Sequence, residues 1–418
     1  MAIKRQRSTT AEWAVAGLAG AAAVYAYAKY KYSQCNVKLL HAENTVAIVD
    51  NRDESGKKKT LIDIMNEGCP SLTDSGKAFF YPTPYLWSGH LQTVFNTFMA
   101  KKNKPGDVKY ERELLHMKDG GNVALDWAPS FESVPKDDRP IVIILHGLTG
   151  GSHEYYVRAV AKKFTSDDFN FRVVVANFRG CGRSKLTSSQ LYSGGYTDDI
   201  RQIVKEVHSR FPNSSLFGIG FSLGSNVLVK YVGQEGENCL LSGAISVCNP
   251  FDFVKAAENM EKPTWANRNL YQPNLTGALQ RMYFRHKDSI DGSKFGIVEE
   301  EIKNAKKISE YDDALTAKVF GFESCWDYYR DASSGQYISK VRVPLLCVNA
   351  LDDPISPKDC IPYHDIENNP YVVLATTDYG GHLGWFTSGS PTPWYPQPFA
   401  EFFAALAKYD NRRQTQKA

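Results

Sequence analysis

The chain has 418 residues, of which 43% are hydrophobic, 12% aromatic and 23% charged. A hydrophobic fraction of this size is enough for a large core, which excludes wholesale disorder and fibrous repeats. A mean hydropathy of −0.37 excludes a polytopic membrane protein but leaves room for a single anchor. The net charge is only +3 and the charges are interspersed, so the sequence gives no electrostatic case for binding nucleic acid.

The eight cysteines are far apart in the sequence and form no C-x-x-C pair. This spacing indicates neither a disulfide scaffold nor a metal site, and it is typical of ordinary buried thiols.

The N-terminus is a candidate membrane anchor. An uncharged run of 16 residues rich in Ala and Gly extends from Trp13 to Ala28, with basic residues before it and Lys29 after it. As a helix it spans about 24 Å, short of the roughly 30 Å hydrocarbon core, although snorkelling of the flanking side chains extends that reach. A cleaved signal peptide and an Ala-rich surface helix are the alternatives. We predict an uncleaved anchor in the endoplasmic reticulum or another internal membrane, with a soluble form as the alternative.

From about residue 107 onward, strand-like and helix-like segments alternate. The segments 108–117 and 123–127 flank a D-G-G turn, which is typical of an antiparallel hairpin. Four later runs have the apolar composition of strands buried on both faces, at 141–145, 173–176, 216–220 and 244–247. Helix-like spacing separates these runs, so the sequence predicts an α/β fold with a mostly parallel central sheet flanked by helices.

The alternation stops at about residue 253 and resumes at about 340. The intervening stretch is polar and aromatic, with helices predicted near 300–308 and 310–319. Sheet signals return at 344–348 and 371–374, and a final helix is predicted near 398–408. An insertion at the carboxyl edge of a sheet is positioned to cover an active site, so we predict a helical cap. Whether this cap is an apolar lid or a packing element stays open.

The motif G-F-S-L-G at 220–224 follows a buried strand and opens a helix, which is the context that a nucleophile elbow requires. The backbone at such an elbow is strained, and its near neighbours must be small. The helix N-terminus directs the amide of Leu223 and a positive dipole end at a developing oxyanion. The motif therefore predicts Ser222 as a catalytic nucleophile.

A serine nucleophile needs a base, and with this elbow the acid and then the histidine follow the serine along the chain. Only His286, His364 and His382 lie downstream of Ser222. His382 stands in a glycine-rich loop just past the last predicted strand, so we predict it as the base. His286 falls in the insertion, and we interpret its H-x4-D match with Asp291 as chance. His364 is predicted on a surface helix.

The acid is expected after the penultimate strand, where Asp352 and Asp353 are adjacent. Asp353 precedes Pro357 by four residues, the usual spacing for this acid, and Pro354 favours an extended backbone at Asp353. We predict Asp353 as the acid and leave Asp352 as the alternative, with a role in capping the turn.

A second oxyanion donor is expected in the loop after the first buried strand. The sequence H-G-L-T-G-G at 146–151 fits, and the amide of Leu148 is the predicted donor. We interpret His146 as a residue that orders this loop. His90, in an earlier segment, is interpreted as structural.

Seven motifs together resemble the AB hydrolase 4 family of the α/β-hydrolase superfamily: W-S-G-H-L-Q-T at 87–93, D-G-G-N-V-A-L-D-W at 119–127, H-G-L-T-G-G-S at 146–152, N-F-R-G-C-G-R-S at 177–184, G-F-S-L-G-S-N at 220–226, N-A-L-D-D-P at 349–354 and G-G-H-L-G-W-F at 380–386. That family is similar to lipases and esterases and includes medium-chain acyl-ester synthases, monoacylglycerol lipases and membrane-anchored phospholipases. The resemblance implies an α/β-hydrolase fold, a triad of Ser222, Asp353 and His382, and an N-terminal membrane segment of the kind that members of the family often have.

These observations predict a serine hydrolase of lipid carboxylic esters, working through an acyl-serine that water or a small alcohol resolves. The expected partners are a lipid ester substrate and a membrane, and no metal or organic cofactor is required. A catalytically silent lipid-binding or scaffold protein is the alternative. The predicted division is an anchor at 1–35, an extension at 36–105, a catalytic domain at 106–410 with its cap at about 253–340, and a polar tail at 411–418.

Overall fold

The computed structural model describes residues 35–49, 58–73, 78–102 and 108–409, together with Val15, Gly20 and Ala22. The predicted anchor run, those three residues apart, and the predicted tail lie outside the described residues. Among the residues that the structure describes, no helix is both long enough and apolar enough to cross a bilayer.

Thirteen strands are present in the described part of the chain. Nine of them build the central sheet, at β1 Lys38–His41, β4 Glu111–His116, β5 Asn122–Ala128, β6 Ile141–Leu145, β7 Arg172–Asn177, β8 Leu216–Phe221, β9 Gly243–Val247, β10 Leu345–Ala350 and β11 Val372–Thr377. The others form two short ribbons, β2 Ala47–Val49 with β3 Lys58–Thr60 and β12 Phe386–Thr387 with β13 Thr392–Pro393.

The central sheet runs in the order β1-β11-β10-β9-β8-β6-β7-β5-β4. Strands β6 to β11 pair in parallel, whereas β1, β4 and β5 join the two edges in antiparallel fashion. The predicted α/β fold with a mostly parallel sheet is therefore confirmed, and the predicted hairpin is the pair β4 and β5.

Fourteen α-helices lie in the described residues: α1 Leu61–Gly68, α2 Gly89–Lys102, α3 Tyr155–Phe164, α4 Asp198–Arg210, α5 Leu223–Glu235, α6 Phe253–Glu261, α7 Gln272–His286, α8 Gly292–Phe295, α9 Glu299–Asn304, α10 Ile308–Tyr311, α11 Ala317–Phe320, α12 Cys325–Ala332, α13 Tyr363–Glu367 and α14 Pro396–Ala407. Two π-helical turns occur at Asn267–Tyr271 and Asp312–Thr316.

The two faces of the sheet bury two separate cores because side chains alternate along each strand. In β6, Ile143 points into a core shared with α4 and α5, and Ile144 points into a core shared with α1, α3 and α14. Both side chains are at most 1% exposed. Burial on both faces explains why the central strands read as continuous apolar runs.

The predicted extension contributes to this layered body in its described parts. Strand β1 pairs with β11 at the sheet edge. Helix α1 lies so close to α14 that a Cβ at Gly68 would come within 2.6 Å of Ala405 Cβ. The sequence did not indicate β1, because four residues give too short a run for a periodicity signal.

The insertion is helical, but the bounds of its helices differ from the predicted ones. The segment predicted as one helix over 310–319 consists of α10, a π-helical turn and α11 in succession. The longest cap helix, α7, was not predicted, because its second residue is Pro273 and its first turns carry polar side chains. Proline, which lacks a backbone N–H, is tolerated there because the N–H groups of a helix's first turn have no acceptor within the helix.

Candidate active site

Ser222 occupies a sharp turn between β8 and α5. Its φ of 53° and ψ of −118° lie in a region that residues with side chains rarely adopt. The flanking glycines make this geometry possible. A Cβ at Gly220 would lie 2.4 Å from Ser225 Cα, and one at Gly224 would lie 2.5 Å from the His146 carbonyl oxygen. The elbow thus holds the Ser222 hydroxyl out at the carboxyl edge of the sheet.

The structure brings Ser222, His382 and Asp353 together. Ser222 Oγ lies 2.8 Å from His382 Nε2, and His382 Nδ1 lies 2.7 Å from Asp353 Oδ2. The carboxylate partner fixes the imidazole with its proton on Nδ1, which leaves Nε2 free to accept the serine proton. The imidazole is therefore oriented as a general base.

Asp353 is anchored from its other side. Its Oδ1 accepts the backbone amides of Ile355 at 2.8 Å and Ser356 at 2.9 Å. The residue is 4% exposed. The carboxylate is thereby locked in the orientation that meets the histidine.

Asp352 points to a different part of the same site. Its Oδ1 accepts the amide of Gly381 at 2.8 Å, so it holds the backbone of the histidine loop rather than the imidazole. Burial raises the pKa of this carboxyl to about 6, and the charge of Asp353 acts in the same direction. Of the two adjacent carboxylates, Asp353 is the one in contact with the histidine.

Thr93 is a residue that the sequence reasoning did not single out. Its hydroxyl accepts the amide of His382 at 2.8 Å and donates to the Gly89 carbonyl at 2.7 Å. The only signal was its place in the W-S-G-H-L-Q-T motif, which carried the family resemblance without indicating a role.

The loop after β6 lies against the nucleophile elbow, where a Cβ at Gly147 would be 3.5 Å from Ser222 Cβ. The amides of Gly147 and Thr149 donate to the hydroxyls of Tyr156 at 2.9 Å and Tyr192 at 2.8 Å. Neither tyrosine was indicated by the sequence. They rigidify the loop on both sides of Leu148.

Leu148 and Leu223, the two predicted oxyanion donors, border the same cavity as Ser222. Leu223 is the first residue of α5, so its amide has no acceptor within the helix. Backbone N–H groups in this position are suited to stabilise a negative oxygen on a substrate bound at Ser222.

His146 orders the loop, as the sequence suggested. Its Nδ1 donates to the Gly147 carbonyl at 2.7 Å and its Nε2 accepts the Phe178 amide at 3.1 Å. Burial lowers the pKa of His146 to about 4, so the ring is neutral at ordinary pH.

The other candidate histidines contact groups other than Ser222. His286 is buried and its Nε2 donates to the Gly180 carbonyl, while His364 is exposed on α13. Asp291 caps α8 by accepting the Lys294 amide at 3.1 Å, which accounts for it without a catalytic role. His90 contacts the Tyr271 hydroxyl at 2.7 Å and so links α2 to the cap.

Within the described residues, one group has the side chains of a small metal site: Cys248, Asp353 and His382. Two of these already bond to each other. Cys248 Sγ accepts the amide of Leu383 at 3.3 Å, and burial raises the pKa of its thiol well above the ordinary value. The cysteine therefore packs the histidine loop as a neutral thiol.

An apolar cavity of about 330 Å³ opens over the nucleophile. Its floor contains Ser222, and its walls come from the sheet edge, from α2 and from the cap. The cap contributes mainly apolar side chains, among them Met260, Leu279, Met282, Leu315 and Phe320. The site thus combines an oriented hydroxyl with room for a hydrocarbon chain.

Comparison with known proteins identifies the family of this chain. A family model described as alpha/beta hydrolase fold matches residues 140–364, more than half of the chain. The Embryogenesis-associated protein EMB8 of Picea glauca is 36% identical over 346 residues, which cover 81% of this chain and 74% of that protein.

Two relatives come from Saccharomyces cerevisiae. Its monoacylglycerol lipase is 33% identical over 391 residues, covering 84% of this chain and 86% of that protein. Its medium-chain fatty acid ethyl ester synthase/esterase 2 is 31% identical over 402 residues, covering 81% and 88%. This chain therefore belongs to the α/β-hydrolase family, within the AB hydrolase 4-type group that its motifs resemble.

Proposed function

We propose that this chain is a serine hydrolase that cleaves carboxylic esters of lipids: medium-chain acyl esters, monoacylglycerols or phospholipids. The observation that carries the proposal is the hydrogen-bonded line from Ser222 through His382 to Asp353 on the floor of an apolar cavity. The two yeast relatives, named for a lipase and an ester synthase/esterase, support the same class of substrate.

The reaction begins with attack of Ser222 Oγ on the ester carbonyl carbon. His382 Nε2 takes the hydroxyl proton as the bond forms, and Asp353 holds the ring and stabilises its positive charge. The amides of Leu148 and Leu223 donate to the oxyanion of the tetrahedral intermediate. Its collapse expels the alcohol, which receives the proton from His382 and leaves an acyl ester on Ser222.

The second half of the reaction resolves this acyl-enzyme. Water gives its proton to His382 Nε2 and attacks the acyl carbon, and a second collapse returns the proton to Ser222 and releases the fatty acid. A small alcohol in place of water yields a new ester by the same steps. The name of the yeast ester synthase/esterase supports this second outcome.

We assign the cap the role of a lid over the acyl chain. The cavity lies between the cap and the sheet edge, and its apolar walls match a hydrocarbon chain that must leave water.

We also propose that the uncharged run from Trp13 to Ala28 attaches the enzyme to a membrane. The run itself supports this assignment, because it is uncharged over 16 residues and basic residues stand on both sides of it. Deletion of residues 1–32 should move the protein from the membrane fraction to the supernatant. Unchanged fractionation would refute the assignment.

Turnover of a panel of glycerol, phospholipid and ethyl esters with several acyl lengths tests the activity. The wild-type protein should hydrolyse at least one lipid ester, and Ser222→Ala should lose about a thousandfold or more. Ser293→Ala, a change in the cap helix α8, is the control and should keep full activity. Absence of turnover across the whole panel would favour a silent lipid-binding protein instead.

A further inference from the structure

Six large apolar side chains are exposed within one short stretch of the chain. They are 39–57% exposed and make up nearly half of the thirteen large hydrophobic side chains that are exposed in the described residues: Phe79, Tyr81, Tyr85, Trp87, Leu91 and Val94. Single exposed hydrophobic residues are ordinary, whereas a contiguous group marks an interaction surface. We call these six residues the aromatic rim.

The aromatic rim is connected to the cavity through helix α2. Leu91 and Val94 are three residues apart on α2 and so lie on one face of the helix. The adjoining face of the same helix carries Thr93, Asn96 and Thr97, which line the cavity. The rim and the cavity lining therefore share one helix.

Hydrogen bonds fix the rim relative to the histidine loop. The amide of Thr83 donates to the Phe386 carbonyl at 2.8 Å, and the Phe386 amide donates to Gln92 Oε1 at 2.8 Å. Thr93 holds the amide of His382. The rim and the catalytic base are thus parts of one rigid unit.

Cys35 and Asn36 lie next to the rim. Asn36 forms a bridge with Phe79, and the Cys35 carbonyl accepts the Phe80 amide at 2.8 Å. Six residues separate Cys35 from the end of the uncharged run at Ala28. Because a fully extended chain advances at most about 3.6 Å per residue, the run ends within roughly 25 Å of the rim.

We propose that the aromatic rim docks onto the surface of a lipid bilayer and turns the cavity mouth toward the lipid. Trp and Tyr side chains favour the membrane–water interface, and the apolar N-terminal run joins the body at this side. The contact is apolar rather than electrostatic, in keeping with the near-neutral charge of the chain. The proposal rests on the proposed function, since a bilayer is where esters of long-chain lipids reside.

A depth measurement tests the contact directly in the full-length protein. A bimane label is attached at Trp87→Cys or at Leu114→Cys, each combined with Cys239→Ser, since the other seven cysteines are buried. Leu114 is 51% exposed and lies on β4, at the opposite edge of the sheet from β1. In phosphatidylcholine vesicles with brominated acyl chains, the label at position 87 should be quenched at least twofold and the label at 114 should not.

Equal quenching at both positions, or none at 87, would overturn the proposal. Self-quenching of the label at 87 without quenching by bromolipid would assign the rim to a second copy of the chain. A third result would assign the rim to a contact with the N-terminal run. In that case the label at 87 would be shielded only while residues 1–32 are present, and bromolipid would not quench it. Each of these results contradicts docking onto lipid.

Turnover provides a second test that separates docking from chemistry. In the triple variant Tyr85→Ser, Trp87→Ser, Leu91→Ser, the rate of hydrolysis of monoacylglycerol in vesicles should fall about tenfold or more. Its rate on a water-soluble short-chain ester should stay within about twofold of the wild type. Leu114→Ser is the matched control. Equal losses on both substrates would contradict docking. If the wild type hydrolysed neither ester, the proposed function would fail, while the quenching result would still decide the docking.

Discussion

Thr93 and His382 are joined by a hydrogen bond in which the backbone amide of His382 donates to Thr93 Oγ1 over 2.8 Å. The two residues are 289 positions apart in the sequence. The bond ties α2, from the N-terminal part of the chain, to the loop that delivers the imidazole to Ser222. The orientation of the base therefore depends on a helix outside the part of the chain in which the sequence predicted the triad.

Replacement of Thr93 by Val keeps the shape of the side chain and removes the acceptor for the His382 amide. We expect the unfolding free energy to fall by about 1–2 kcal/mol and kcat to fall about tenfold or more, with KM little changed. Ester kinetics and chemical denaturation measure both effects. Thr165→Val is the control, because the Thr165 hydroxyl bonds to carbonyls of α3, away from the cavity lining. Equal losses of kcat in the two variants would show that Thr93 does not position the base.

The two adjacent carboxylates should differ sharply when each is replaced by an amide. Asp353→Asn removes the acceptor that holds the imidazole tautomer, so kcat should fall about a thousandfold or more. Asp352→Asn keeps an oxygen that can accept the Gly381 amide, so its kcat should stay within about tenfold of the wild-type value. Steady-state ester hydrolysis gives the ranking, and the reverse order would overturn the assignment of the acid.

Asp352 should also make the stability depend on pH. Burial raises its pKa from the ordinary 3.8 to about 6 in the folded protein. Because the folded-state value is the higher one, protonation of Asp352 favours folding. This contribution is fully present below about pH 4 and is lost as the pH rises through about 6.

Asp352→Asn removes that dependence. The melting temperature of this variant relative to the wild type should therefore rise between about pH 4 and pH 7, by roughly 2–5 °C. Thermal unfolding at several pH values measures the difference, in which any constant effect of the substitution cancels. If the melting temperature of the variant relative to the wild type stayed constant or fell over this pH range, burial of the Asp352 carboxyl would not raise its pKa.

The elbow glycines should tolerate no side chain. Gly220→Ala would bring a Cβ to 2.4 Å from backbone Ser225 Cα, and we expect a loss of about 3 kcal/mol or more, or failure to fold. Gly296→Ala is the control, because that residue has φ +61° with open space around its Cβ position and should cost only about 1–2 kcal/mol. Comparable losses in both variants, measured by denaturation, would contradict a dominant steric clash at Gly220, whose φ is not positive.

Ser222 and His382, which we propose as nucleophile and base, could be singled out because their constraints are local in sequence. The glycines around Ser222 and His382 mark positions where the backbone has unusual dihedral angles, with φ at 53° for Ser222 and 59° for Gly381. Buried parallel strands are also readable, because residues such as Ile143 and Ile144 are apolar on both faces. Both signals can be recognised from residues that are neighbours in the sequence.

The supporting contacts could not be predicted, because they join segments far apart in the chain. Thr93 and Tyr192 act through hydroxyls bonded to backbone amides 289 and 43 positions away, and no spacing rule indicates such partners. The cap was similarly hard to resolve into helices, because π-helical turns at Asn267–Tyr271 and Asp312–Thr316 interrupt its helical periodicity. Strand β1 was missed because its pairing with β11 depends on residues more than 330 positions away.

Labelling with a fluorophosphonate probe, followed by mass mapping of the modified peptide, shows directly whether Ser222 is the nucleophile. We expect a single adduct on Ser222 of the full-length wild-type protein, none in Ser222→Ala, and labelling at least about a hundredfold slower in His382→Ala. No adduct on Ser222, or equal labelling of Ser222→Ala at another residue, would contradict the assignment of Ser222 as the nucleophile.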